Sequence, residues 1–359
     1  MLLVAVIKNS GIFEYIAIKA AKIAKGRPWP IMVIFILITA VCSGMLDNVT
    51  TVLLVGPMTL AITNILKVDP VPYIITQIMA SNIGGTATLI GDPPNIMIGS
   101  AAKLSFVDFI LNTGVATVFV IIVGLICMYF IYGRKLFVTD ESIAKVMQLD
   151  ENKAIKDRKL MHESVIVIIL VALCFIFHDQ LGVQSCTVAI AAACIMLLIG
   201  GQEPEEIIAD VEWPTILFFI GLFIVVGGMK KVGVITMLAN ELISITHGNM
   251  VVTMMVILWV SAIVSSFLDN IPFVATLIPM ILTMQSEGMD VAPIWWALSL
   301  GACLGGNGTL IGASANVVLS GISKNNGHPI TFGQYFKIGF PMMILSIIVC
   351  SVFLLIRFA

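Results

Sequence analysis

The chain has 359 residues, 59% of them hydrophobic and 11% charged, with a formal net charge of −2 and a mean hydropathy of +1.07. A water-soluble domain carries roughly 45–50% apolar and 25% charged residues, so this composition excludes a soluble protein and describes one that lives in a bilayer. The small net charge lends nothing to nucleic-acid binding; what matters in such a chain is how Lys and Arg are shared among the loops.

In chain order, a short apolar start ends at Lys8, and an amphipathic stretch follows that carries Lys19, Lys22, Lys25 and Arg27. Pro28 to Leu66 is apolar except for Asp47-Asn48 at its midpoint. That length suits either two full helices or a re-entrant hairpin. The polar pair favours a hairpin whose tip lies within protein, since unpaired backbone is not tolerated against lipid. Val71 to Ala102 is interrupted by IGGTATLIGDPPN (83–95). Gly114 to Tyr132 is a continuous apolar span, and Gly133 to Glu163 is a linker of mixed charge. Apolar stretches at Ser164 to Phe177, Val183 to Ile199, Trp213 to Met229 and Gly339 to Ile356 approach or reach the roughly 20 residues needed to cross a bilayer core. Because apolar segments recur to the end, the hydrophobicity is not that of a signal peptide alone.

The chain contains itself twice. SGMLDNVTTVLLVGPM (43–58) matches SSFLDNIPFVATLIPM (265–280) at an offset of about 222, and IGGTATLIGDPPN (83–95) matches LGGNGTLIGASAN (304–316) with a slip of one residue. Upstream, Lys8 and Gly11 face Lys230 and Gly233. The organisation expected is a first repeat at 1–132, a charged cytoplasmic linker at 133–163 and a second repeat at 164–359. The second repeat has spans for which the first has no counterpart before Lys8. By symmetry roughly 58 residues are absent there, and the first repeat reads as N-terminally truncated. Placing the basic loops (Lys19 to Arg27, and Arg134, Lys135, Lys145, Lys153, Lys156, Arg158 and Lys159) in the cytoplasm gives each complete repeat five crossings and one there-and-back excursion. An odd count inverts the second repeat relative to the first, an architecture suited to alternating access. Lys230, Lys231 and Arg357 then fall outside, against the charge rule; Lys8 and Lys230 can snorkel at an interface.

The chemistry sits in the repeated motifs. Asp47 and Asp269 each lie within an apolar run. A carboxylate at bilayer depth costs at least about 2.5–3.5 kcal/mol, and a bound cation, a proton or a hydrogen-bond partner normally compensates it. The same groups can also cap a helix, Asp47 or Asn48 accepting from the N–H groups of Thr50 and Thr51. The glycine pairs Gly84-Gly85 and Gly305-Gly306, with Thr86, Thr88, Asn307 and Thr309, mark places where a helix unwinds, helped in the first copy by Pro93 and Pro94. Freed carbonyls there suit a hard cation such as Na⁺, and the N–H groups opening the next helix near Asn95 and Asn316 suit anionic or polar oxygens. Tight packing through small residues is the plainer reading of the glycines. Asp92 faces Ala313, so it exists in one copy only; it is a candidate for ion or proton coupling, or a cap on the helix opening at Pro93. The seven cysteines are scattered without metal or disulfide spacing. His162, His178, His247 and His328 show no metal motif, and the twenty methionines read as packing residues. No constellation of nucleophile, base and oxyanion donors is visible, so an enzyme is not expected.

With LDNVTTVLLVGPM, IGGTATLIGDPPNI, LDNIPFVATLIP and GGNGTLIGASAN in view, the chain resembles the ion transporter superfamily over essentially its whole length. It is similar in particular to the branch of arsenite permeases, the P protein and NhaD-type Na⁺/H⁺ antiporters, with a citrate-transporter-like domain. The resemblance implies an all-α polytopic membrane protein of two inverted-topology repeats, with two re-entrant hairpins meeting two broken transmembrane helices, and an elevator-like homodimer. It places the hairpin tips at Asp47-Asn48-Val49-Thr50-Thr51 and Asp269-Asn270-Ile271-Pro272. The broken-helix positions are Gly84 to Asn95 and Gly305 to Asn316, including Ser314, with Na⁺ candidates at Asn48, Gly84, Asn95, Asn270, Gly305 and Asn316. Related dicarboxylate carriers have Ser-Asn-Thr-like tips, whereas this chain has Asp at both first positions. Two carboxylates beside a dianion repel it unless cations or protons neutralise them.

The function expected is therefore an ion-coupled secondary transporter of the arsenite or Na⁺/H⁺ antiporter type. Its coupling ion would be H⁺ or Na⁺, its substrate a small inorganic ion or oxyacid, and its location the plasma membrane. An ATPase subunit would be a partner if it is of the arsenite type, and no other cofactor is implied. A Na⁺-coupled dicarboxylate carrier, and a channel-like or non-transporting remnant, stand as alternatives. Asp47→Asn and Asp269→Asn are each expected to abolish ion-coupled flux in proteoliposomes while leaving the protein folded; full activity in both variants would remove the tips from the site.

Overall fold

The computed structural model describes residues 2–181, 185–201, 203–209, 211, 213–246 and 248–359. His247 and Val183, where one span was expected to begin, lie outside the described residues. Every regular element among the described residues is helical. They are α1 (Leu2–Lys8), α2 (Ile12–Ile23), α3 (Pro28–Leu46), α4 (Asn48–Leu66), α5 (Val71–Thr86), α6 (Pro93–Ala102) and α7 (Phe106–Gly133). The linker contributes α8 (Asp140–Met147). There follow α9 (Arg158–Leu181), α10 (Ser185–Ile199), α11 (Pro204–Ala209), α12 (Trp213–Lys231), α13 (Val234–Ile245), α14 (Met250–Phe267), α15 (Asn270–Ser286), α16 (Ala292–Gly305), α17 (Ser314–Asn325) and α18 (Phe332–Phe358). Six of the described helical segments are long and apolar enough to cross a membrane, within α3, α4, α7, α9, α14 and α18. The chain is an integral, multi-pass membrane protein.

Several boundaries differ from the hydropathy reading for clear reasons. The span expected to start at Ser164 begins at Arg158, because Asp157 caps the helix there, its side chain accepting from the Leu160 N–H (3.0 Å), and Lys159 and Glu163 pair one turn apart (3.7 Å). The mixed-charge linker is only partly helical. Thr139 caps α8, accepting from the Ser142 N–H, and the linker then lies down on α2. Lys22 joins it there, donating to the Leu149 carbonyl (3.0 Å) and pairing with Glu151 (2.6 Å), which holds the Glu151 carboxyl below the usual carboxylate range. The N–H groups of Lys156 and Asp157 reach the Ser10 carbonyl.

The repeat governs the packing. Within each half, α3 lies along α5 and α14 along α16, and both contacts depend on glycine. A β-carbon at Gly84 would overlap the Ala40 backbone, and one at Gly305 the Ala262 backbone. Ser43 donates to the Ser81 carbonyl and its counterpart Ser265 to the Ala302 carbonyl, both at 2.6 Å. Across the halves the contacts are reciprocal: α4 packs on α17, and α15 packs on α6. Each helix following a tip therefore rests on the other half's helix following a break. Gly84→Ala is expected to destabilise the folded protein by about 1–3 kcal/mol through overpacking. Gly124→Ala, where a β-carbon meets nothing, serves as the unaffected control in thermal unfolding of the solubilised protein.

Candidate transport site at two helix breaks

Both breaks are built from the same contacts. Helix α5 ends in Gly84-Gly85-Thr86, and α6 opens on Pro93 and Pro94, whose missing N–H and fixed φ suit a first helical turn. In the second half α16 ends at Gly305, a single 3₁₀ turn covers Gly306–Gly308, and α17 opens at Ser314 without proline. Thr88 Oγ1 donates to the Gly44 carbonyl and Thr309 Oγ1 to the Ser266 carbonyl, both at 2.5 Å, tying each break to the helix that leads to its own tip. Asn95 shares its amide N–H₂ among the carbonyls of Gly85 (3.3 Å), Thr86 (3.2 Å) and Thr88 (2.9 Å). Asn316 donates to Gly306 (2.7 Å) and Thr309 (2.8 Å). The carbonyls expected to be free for a cation thus already accept from protein. Gly84 accepts from the Ala87 N–H (3.0 Å) and Gly305 from Ser266 Oγ (3.0 Å).

Where the breaks meet, the amides interlock. Asn82 on α5 donates to the side-chain oxygens of Asn307 and Asn316, both at 2.9 Å, and its own oxygen faces Asn48 Nδ2 at 3.5 Å. Asn307 donates to the Met79 carbonyl at 3.4 Å. In the other direction, Ser299 Oγ (2.6 Å) and Cys303 Sγ (3.4 Å) donate to Asn95 Oδ1. Asn82, Asn95, Asn307, Asn316, Ser299 and Cys303 are all fully or nearly fully buried.

Asp92 is 1% exposed and does not cap α6. Both of its oxygens face Asn270 Nδ2, at 3.3 and 3.2 Å, so the carboxyl found in one copy bonds the other half's tip. The tips themselves differ. Asp47 caps α4, accepting from the Thr50 N–H (2.8 Å) and Thr50 Oγ1 (2.6 Å), and its backbone sits at φ 118°, ψ 161°, a region that costs a non-glycine residue about 1–3 kcal/mol. Asp269 has an ordinary φ of −54°, accepts from the Ile271 N–H (3.0 Å) and takes Ser314 Oγ (2.9 Å) on its second oxygen.

The structure therefore gathers Asn48, Gly84, Gly85, Thr86, Thr88, Asp92, Asn95, Asn270, Gly305, Gly306, Asn307, Thr309 and Asn316 about the two breaks, and links Asp269 to Ser314. Thr50 is spent on Asp47. Thr51 turns away: it lines a small apolar pocket with Phe13, Phe35 and Met58, its buried hydroxyl without a partner. Asn82, Ser299 and Cys303 escaped the repeat comparison because their counterparts differ: Asn82 faces Cys303, and Ser299 faces Ile78. An asparagine inside the apolar run VPYIITQIMASNI was nevertheless a visible signal for Asn82. Among the described residues Asp92 is the only buried charged side chain, and no group of three or more His, Cys, Asp or Glu is placed to hold a metal ion.

A family model described as citrate transporter matches residues 1–301. An uncharacterized transporter of Mycobacterium tuberculosis is 42% identical over 362 residues, covering all of this chain and 84% of that protein. The 46 kDa membrane protein of Mycobacterium leprae is 39% identical with the same coverage, and the human P protein is 31% identical over 99% of this chain and 52% of its own length. Asn82→Ala removes the donor shared by Asn307 and Asn316; leaving two buried acceptors unpaired is expected to lower the transport rate at least about tenfold in vesicle flux assays.

Proposed function

The chain belongs to the citrate transporter family and is a membrane transporter, and from that membership we propose that it is an ion-coupled secondary transporter whose coupling group is Asp92. The observation that carries the reading is a carboxyl buried between the first break and the opposite tip, met by Asn270 on both oxygens and by no buried Lys or Arg among the described residues. A carboxylate so placed is compensated by a proton or a small cation, and release of that ion alters the bond between Asp92 and Asn270. Because Asn270 begins α15 and Asp92 precedes α6, the ion's occupancy is read directly by two elements from different halves. Occupancy linked to packing is what coupling requires: the ion has to bind one arrangement of the halves better than another.

The species moved is read from the same charges. Asp47, Asp92 and Asp269 make the site acidic, which suits a small cation, a neutral oxyacid such as arsenite, or H⁺ exchanged for Na⁺. The family name, citrate transporter, favours a second reading, in which a carboxylate anion enters together with enough cations to neutralise these three groups. Under either reading the coupling ion is H⁺ or Na⁺. Flux of arsenite, Na⁺ and citrate into proteoliposomes under imposed pH and Na⁺ gradients separates them. Asp92→Asn is expected to fold and to lose gradient-driven accumulation of the substrate. Undiminished accumulation by that variant would remove Asp92 from the coupling step.

A further inference from the structure

The two break asparagines are used in the same way. Each turns its N–H₂ onto the carbonyls of its own break and leaves Oδ1 pointing inward. The oxygen is then met by a donor from the other half's helix preceding a break. For Asn316 that donor is Asn82 on α5; for Asn95 it is Cys303 on α16, at the position equivalent to Asn82, reinforced by Ser299 one turn earlier. The arrangement is a reciprocal clasp: each unbroken segment holds the opposite half's break closed. Its arms are chemically unequal. Asn82 divides one amide between Asn307 and Asn316, whereas Asn95 receives a hydroxyl at 2.6 Å and a weak thiol at 3.4 Å.

We propose that Ser299 and Cys303 are positioning residues of the transport site, which act through Asn95 to hold the first helix break in shape as Asn82 holds the second. The reasoning is that of donors and acceptors. Asn95 can give its N–H₂ to Gly85, Thr86 and Thr88 only while its oxygen faces inward, and a buried oxygen facing inward requires a donor. Without Ser299 and Cys303 the amide loses its reason to keep that orientation, and the carbonyls of the first break lose their partner. That these residues serve transport rests on the function proposed above; that they hold the break does not.

Hydrogen–deuterium exchange of the full chain in nanodiscs reads the clasp without any transport. The Ser299→Ala/Cys303→Val variant keeps the bulk and removes both donors. Amides 87–92 are expected to exchange about tenfold faster in it, the loss of two buried hydrogen bonds, while amides 307–313 stay as in the parent protein. Asn82→Ala should give the reverse pattern, and Cys303→Ser, which keeps a donor, should match the parent. Should the double variant fail to accumulate, Ser299→Ala against Ser299→Cys decides, because Ser299 is the shorter donor: the first alone loosens 87–92. Unchanged exchange at 87–92, or equal loosening of both breaks, overturns the proposal. A parent protein that shows no ion-coupled flux would instead refute the proposed function and leave the exchange result standing.

Discussion

A helix broken in the buried interior of this molecule strands carbonyl and N–H groups away from water, and the centre of the molecule is organised around satisfying them. The solution is the carboxamide of asparagine, which alone among short side chains offers two donors and an acceptor together. Asn95 and Asn316 spend their donors on their own breaks and their acceptors on the neighbouring half. Closing one break therefore requires the presence of the other. The close approach of α3 to α5 and of α14 to α16 at Gly84 and Gly305 brings the Thr88 and Thr309 hydroxyls within reach of the helices that lead to the tips.

Much of this was written in the repeat. Composition established the membrane, the matched Asp-Asn pairs marked the helix junctions at Asp47 and Asp269, and the matched glycine runs marked the two breaks, since glycine and proline advertise where backbone regularity ends. Boundaries in water were less legible: α9 starts at Arg158 behind a side-chain cap from Asp157, which hydropathy does not register. The residues hardest to find were those in which the halves have diverged. Asn82 and Cys303 occupy equivalent places and do equivalent work with unlike side chains, so a comparison that rewards identity passes over both. The direction in which a hydroxyl points was also beyond the sequence: Thr50 and Thr51 are adjacent and identical, yet one bonds Asp47 and the other faces an apolar pocket.

Divergence within the repeat is also where function becomes directional. A perfectly symmetric pair of half-sites offers a coupling ion two equal places. Here Asp92 has Ala313 opposite it, Asp47 sits on a strained backbone while Asp269 does not, and one clasp arm is an amide while the other is a hydroxyl and a thiol. Apart from Asp47, whose side chain is held by Thr50, these groups lie in a break or within one hydrogen bond of one, so their differences bear on the same centre.

The dual use of the break asparagines sets narrow bounds on what evolution can place there. Aspartate matches the shape but has no donor when ionised, and would set its charge against three carbonyl oxygens at position 95 and two at position 316. Glutamine carries the right groups on a longer arm, serine reaches one partner at most, and histidine is too broad for a gap walled by glycine. At positions 95 and 316 asparagine thus supplies, on one short side chain, donors for its own break and an acceptor for the other half.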